Sequence, residues 1–471
     1  MEMIIVIAGL AAVCWGAVIF LRGGLLAGAL TVLLAGICCG YEVFHAAVGP
    51  LTVTTDRILW CILIAQYAVW RRLGRFEAKP PGKEQAVMAA LIGVLLVSML
   101  GHDWQAHHFM PLARLVFYYL MPAGMYWVAW QMPLTERGMR NMFAGLALLG
   151  VYLALTAIAE RFAFSGLVFP QYIASPATPE FLGRARGPLL NPSAEGILLG
   201  LCLGGALMSW PGMNRWGRLG LVGLAALMMT GIYCTLTRSA WMGGMAGMLL
   251  VVLLGAPRRW RGRLLAGALV LAAAVLATSW QQILEFKRDR NLSAAETAES
   301  VRLRPILAAA AWKMFLDRPI SGCGFGQYDR QLPNYLGDRT LDVPLEKARK
   351  YVQHNVWLSL LTETGLTGAT LFVLLTIVWI HNAWGLWTSD APLWARQQGL
   401  LLLVLLANYF SNGMFQDVSI MPMIHMVVFF LAGLTANLHW RMRRGFWEYQ
   451  SRTRAAQFQA LAGHPADLVA T

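Results

Sequence analysis

Apolar residues along this chain fall into long blocks separated by short polar stretches, with little of the two-residue alternation that marks half-buried strands. A helix crossing about 30 Å of hydrocarbon needs about 20 mostly apolar residues. Stretches of that kind are predicted near 3–21, 24–41, 52–70, 85–101, 109–130, 141–160, 188–210, 217–234, 239–256, 263–280, 356–378, 396–413 and 419–438. Reading the first 41 residues as one span instead of two gives twelve, so the expectation is twelve to thirteen. Two polar connections stand out, 161–187 and the much longer 281–353. The predicted fold is therefore all-α, a polytopic integral membrane protein. It divides into a transmembrane bundle at 1–280, a large loop at 281–353, further transmembrane helices at 354–440 and a tail at 441–471.

Composition agrees with that pattern. Hydrophobic residues make up 58% of the 471 and charged residues 13%, against about 45–50% and about 25% in soluble proteins. A set of soluble domains is thereby excluded. The net charge of +14 could suggest nucleic acid, but its placement points elsewhere. Arg71, Arg72, Arg75, Lys79 and Lys83 share one short loop; Arg137 and Arg140, Arg215 and Arg218, Arg258 to Arg263, and Arg441 to Arg444 recur in alternate loops. Positive residues mark the cytoplasmic side, so most of the charge reads as orientation and no nucleic-acid partner is needed. The same rule puts the C-terminus in the cytoplasm and the 281–353 loop outside. The first segment lacks a basic leader and cleavage signature and is expected to stay in the membrane. Seven Cys at no repeating spacing read as packing residues.

The 281–353 loop holds twelve Lys and Arg and nine Asp and Glu, which suits a solvated cap and a lid over a site equally well. Ionisable residues in or beside the spans favour the second. Asp56, Arg57, Arg114, Glu160, Arg161, Glu195, Arg238 and Asp417 all fall toward the outer ends, and intramembrane charge tends to mark function. Transporters place such groups near the midplane. Arg184 and Arg186, Arg238 in Thr235-Leu-Thr-Arg-Ser239, and Arg302 and Arg304 sit on the side where the topology rule predicts few. Their planar, permanent charge suits phosphate.

The sharpest local pattern is His354-Asn-Val-Trp-Leu358-Ser-Leu-Leu361-Thr-Glu363-Thr-Gly365-Leu-Thr-Gly368. His354 stands where the loop enters a helix, and an imidazole titrating near neutrality can take a proton from a hydroxyl. Helical spacing puts His354, Leu358, Leu361 and Gly365 on one face, with Gly365 and Gly368 permitting close helix approach. Glu363 falls on the opposite face, where it would order the helix or a neighbour. His102, Asp103, His107 and His108 share a loop but lack a regular metal-ligand spacing. No Walker A loop, HExxH, GxSxG or Asp-x-Asp motif is present, which disfavours ATP-driven or nucleotide-sugar chemistry.

The run from His354 to Gly365 resembles the His-Asn-x-x-Leu-x-x-x-x-Glu-x-Gly pattern of the O-antigen ligase and polymerase superfamily. Arg304 ahead of Pro319-Ile-Ser-Gly322-Cys-Gly324, Arg186-Gly with Asn191-Pro192, and Arg238 are similar to further family positions. Two positions depart from it: Ser239 follows Arg238 where the family often has Ser-Arg, and Ala308 stands at a frequent aromatic position. The resemblance implies a GT-C-like membrane glycosyltransferase with one large periplasmic loop in the bacterial inner membrane. It implies metal-independent, inverting transfer of O-antigen from undecaprenyl pyrophosphate to lipid A–core, without a cofactor. His354 is then the catalytic base. Arg186, Arg238, Arg304, Arg184 and Arg302 are pyrophosphate-binding candidates, and Asn355, Glu363 and Asp417 are supporting residues. The alternatives are a polymerase or a protein O-oligosaccharyltransferase of the same superfamily, or, from another class, a lipid-linked oligosaccharide transporter. Arg186, Arg302 and Arg304 lack a glycine eleven residues on, which disfavours the polymerase. Oligomeric state is not legible.

Overall fold

The computed structural model describes residues 2–178, 180–267, 270, 294–336 and 354–447. Most of the expected span at 263–280, the remainder of the 281–353 loop and the tail after Trp447 lie outside the described residues. So do the side chains of His107, His108 and Arg302.

The chain is mostly helical. Its main elements are α1 (Glu2–Cys38), α2 (Thr55–Arg72), α3 (Lys83–Leu100), α4 (Ala106–Leu115), α5 (Met121–Gln131), α6 (Glu136–Arg161), α7 (Pro192–Met208), α8 (Arg215–Cys234), α9 (Arg238–Leu250), α10 (Ala294–Asp317), α11 (Val356–Thr388), α12 (Leu393–Gly413) and α13 (Pro422–Arg443). Among the described residues, seven helices are long and apolar enough to cross a membrane: α3, α6, α7 with its extension to Gly212, α8, α9 with its extension to Gly255, α11 and α13. The protein is thus a polytopic membrane protein. Within α1 the helix is broken at Gly24, whose φ of 77° and ψ of −177° are not helical.

Polar caps set the helix starts. Asn191 ahead of Pro192, Asn214 ahead of Arg215, and Thr135 ahead of Glu136 each accept from backbone N–H groups of the first turn. This satisfies donors that a helix cannot pair internally. Between α1 and α2 the all-α expectation fails. Residues His45–Val48 and Leu51–Thr54 form an antiparallel hairpin, His45 opposite Thr54 and Val48 opposite Leu51. Val48, Thr52, Val53 and Thr54 favour extended backbone, and Gly49 at φ 59° begins the two-residue turn. The expected span start at 52 is strand instead.

Helix α13 is the most enclosed spanning element and packs on α5, α11 and α12. Helix α12 lies between α7, α9 and α11. Its Asn408 donates to the Gly196 and Ile197 carbonyls at 3.4 and 3.3 Å, a polar tie of the kind that joins helices in lipid. Gly200 and Gly243 make room for that side chain: a Cβ at either would stand 2.1 or 2.0 Å from Asn408 atoms.

Candidate active site

His354 precedes α11 by two residues, and Asn355 is the helix cap. The Asn355 side chain accepts from the Trp357 and Leu358 N–H groups at 2.9 and 3.1 Å, and its amide donates to the Met414 carbonyl at 3.0 Å. One side chain therefore starts the helix and ties it to the turn after α12, where Asp417 lies. Asp417 is buried and accepts from the Ser419 N–H at 3.0 Å and its hydroxyl at 2.5 Å. His354 is half-buried, and its Nδ1 is enclosed without a hydrogen-bond partner among the described residues. Burial and the nearby Arg304 lower the imidazole from its ordinary range, while Asp417 opposes them. At neutral pH the ring is neutral, the state a proton acceptor requires.

The expected single face from His354 to Gly365 is not formed. His354 lies before the cap, and Gly365 leaves helical geometry at φ 63° and ψ −162°. The break serves an interlock. Leu366 N–H donates to the Pro319 carbonyl at 2.8 Å instead of within its helix, and Thr367 N–H to Ile320 at 3.3 Å. In return the Thr362 and Glu363 carbonyls accept from Cys323 and Gly324 at 2.8 and 3.1 Å. The turn after α10 is thus stitched into α11. Gly322, Gly324 and Gly326 all have positive φ, and a Cβ on Gly322 would stand 2.4 Å from the Glu363 backbone. The Pro-x-x-Gly-x-Gly run is written for this contact.

Glu363 does order a neighbour. Its carboxylate meets the Arg114 guanidinium of α4 at 2.7 Å, with side chains only 3% and 13% exposed. Arg114 also lies 5.0 Å from the centre of the Phe325 ring. Asp103 pairs with Arg330 and its carbonyl accepts from Gln327 at 2.8 Å, so the 98–105 connection supports the same turn.

The arginines divide into two sets. Arg186 is buried and donates to the carbonyls of Ile173, Ser175, Thr178 and Glu180, while its own N–H and that of Gly187 donate to Glu160 at 3.0 Å each. Arg184, also buried, donates to the Thr235 carbonyl at 3.2 Å and the Thr237 hydroxyl at 2.5 Å. Both fasten the 173–187 connection, Arg184 holding it against the turn that carries Arg238. Arg304, on the half-buried face of α10, is lowered by burial and then by Arg238. Arg304 thus feels the charge of Arg238, and guanidinium groups of this kind suit an anion. Thus His354 feels the charges of Arg304 and Asp417, and Arg304 that of Arg238, while Arg184 and Arg186 fasten the 173–187 connection and Arg302 lies outside the described side chains. Arg114, singled out in the sequence only as one of the charges at the outer span ends, proves to be the partner of Glu363. Its signal was a charge inside the apolar 109–130 run.

A histidine, a carboxylate and arginines where a polar connection enters the bundle of a helical membrane protein are the groups that group transfer at a membrane surface needs. Residues 223–373 match the family described as O-antigen ligase, and that match supports the resemblance to the O-antigen ligase/polymerase superfamily. The matched segment holds Arg238, Arg304, His354 and Glu363, whereas Arg184, Arg186 and Asp417 fall outside it. No curated protein matches the chain.

Proposed function

We propose that the protein is an O-antigen ligase, moving O-antigen from undecaprenyl pyrophosphate to the lipid A–core oligosaccharide at the periplasmic face of the bacterial inner membrane. The observation that carries this reading is half-buried His354 at the entry to α11, lowered by burial and Arg304 and opposed by Asp417. In the reaction the acceptor hydroxyl oxygen attacks the anomeric carbon while His354 takes its proton. The bond from that carbon to the pyrophosphate oxygen breaks, its electron pair stays on that oxygen, and Arg304 and Arg238 neutralise the charge of the leaving pyrophosphate. Arg302 remains a further candidate for the same charge. Attack opposite the leaving group inverts the anomeric centre, and guanidinium groups neutralise the leaving charge without a metal. Asp417 steadies the imidazolium. Arg184 holds the turn that aims Arg238, Arg186 fastens the connection that carries Arg184, and Asn355 and Glu363 hold the histidine's helix.

The chain is then a GT-C-like transferase of twelve to thirteen spans. Its units are the bundle at 1–280, the periplasmic loop at 281–353, the helices at 354–440 and the cytoplasmic tail at 441–471. Purified protein given lipid-linked donor and O-antigen-free lipopolysaccharide is expected to extend the acceptor. Elongation of donor alone would make it a polymerase. The sidedness has its own check. Cysteine in place of the exposed Arg330 is expected to react with an impermeant thiol reagent from the periplasm, and protection there would reverse the topology.

A further inference from the structure

A cavity of about 270 Å³ opens between the end of α1, the hairpin, the start of α7 and the 420–426 stretch. Arg57, at the start of α2, faces it. Its guanidinium lies 3.3 Å from the centre of the Phe117 ring and donates to the Thr52 carbonyl. Beside it stand Asp56, which accepts from the Thr54 hydroxyl at 2.6 Å, and Glu42. From the cap of α7 comes Asn191, which lines the cavity and whose side-chain oxygen is committed to capping at 2.9 and 3.2 Å, leaving the amide N–H₂ as the group it can offer. The polar walls therefore mix donors and acceptors, with two carboxylates against one guanidinium. That balance disfavours a pyrophosphate, which the Arg238 and Arg304 pair suits far better, and matches the hydroxyls of a sugar.

Along the same three helices lies an apolar crevice of about 80 Å³. Its walls include Leu33 and Ile37 of α1, Leu198 of α7, and Val427 and Leu431 of α13, with α6 closing one side. Polar cavity and apolar crevice in register describe an amphiphile. The stretch that carries Asp417, whose charge reaches His354, continues along the chain into Ile420 and Met423 of the cavity wall. We propose that this cavity seats the sugar head of the glycolipid acceptor, with a hydrocarbon chain in the crevice. The assignment rests on the transferase reading above and adds a subsite built by α1, α2 and α7, outside the 223–373 family segment.

The test uses the full chain in lipid nanodiscs, with Arg57→Gln and with Asn191→Ser, a serine keeping the helix cap. Initial rates are taken with O-antigen-free lipopolysaccharide and lipid-pyrophosphate glycan varied separately. Binding of that lipopolysaccharide is also measured in His354→Ala backgrounds, where turnover does not intrude. Loss of a hydrogen bond to a charged group predicts an acceptor KM and Kd raised about tenfold for Arg57→Gln, a smaller rise for Asn191→Ser, and an unchanged donor KM. A raised donor KM, or unchanged acceptor binding in both variants, overturns the assignment. If wild-type protein transfers nothing yet binds the lipopolysaccharide through Arg57, the subsite stands and the reaction reading falls.

Discussion

The Arg114–Glu363 pair gives the most quantitative expectation for the fold around the site. Its oxygen and nitrogen stand 2.7 Å apart with both side chains largely enclosed. Two unit charges at that distance attract by roughly 6 kcal/mol at an effective dielectric constant near 20, most of which offsets the desolvation of the two groups. Removing one partner leaves the other charge buried, and such losses run to about 3–5 kcal/mol. Arg114→Met is therefore expected to cost that much, and Glu363→Gln less, because the amide oxygen still accepts from Arg114. The double variant should cost clearly less than the sum, since no uncompensated charge remains. Unfolding free energies from denaturant titration in mixed micelles close the double-mutant cycle. A coupling below about 0.5 kcal/mol, the scatter expected of independent sites, would refute the claim that this pair organises the start of α11.

Two further outcomes follow from the same geometry. Gly365→Ala places a Cβ 2.3 Å from the Ile320 carbonyl at a φ of 63° and is expected to lose at least about 2 kcal/mol in the same titration. Gly368→Ala meets the Thr364 side chain, its hydroxyl at 2.1 Å and its Cβ at 2.5 Å, and should also destabilise, though without the positive φ. Because His354 must be neutral to accept a proton and its imidazole is lowered, the acid limb of kcat/KM should lie below the usual imidazole range. Arg304→Gln removes a cation that lowers it, so the limb should move to higher pH. Asp417→Asn removes the carboxylate that raises it, so the limb should move lower. Identical limbs in all three proteins would exclude His354 as the titrating base.

Hydrocarbon thickness imposes a length on every span, which is why the helices were legible as apolar blocks from α3 onward. The hairpin at 45–54 was not, because its four-residue strands merge with the apolar run that follows. At the site, the histidine and two arginines stood out through residue type in an unexpected topological place. What Arg186 does was hidden: its fixed fork suits backbone carbonyls as well as phosphate, and only the folded 173–180 connection shows which partners it has. Likewise a glycine reads the same in sequence whether it permits helix packing, as at Gly200, or breaks a helix to receive a turn, as at Gly365.

The most direct measurement is single-turnover transfer by His354→Ala protein, with donor and acceptor both saturating. Transfer is expected to fall at least about 100-fold while donor binding holds, since the arginines remain in place. Transfer at the wild-type rate would contradict the assignment of His354 as the base.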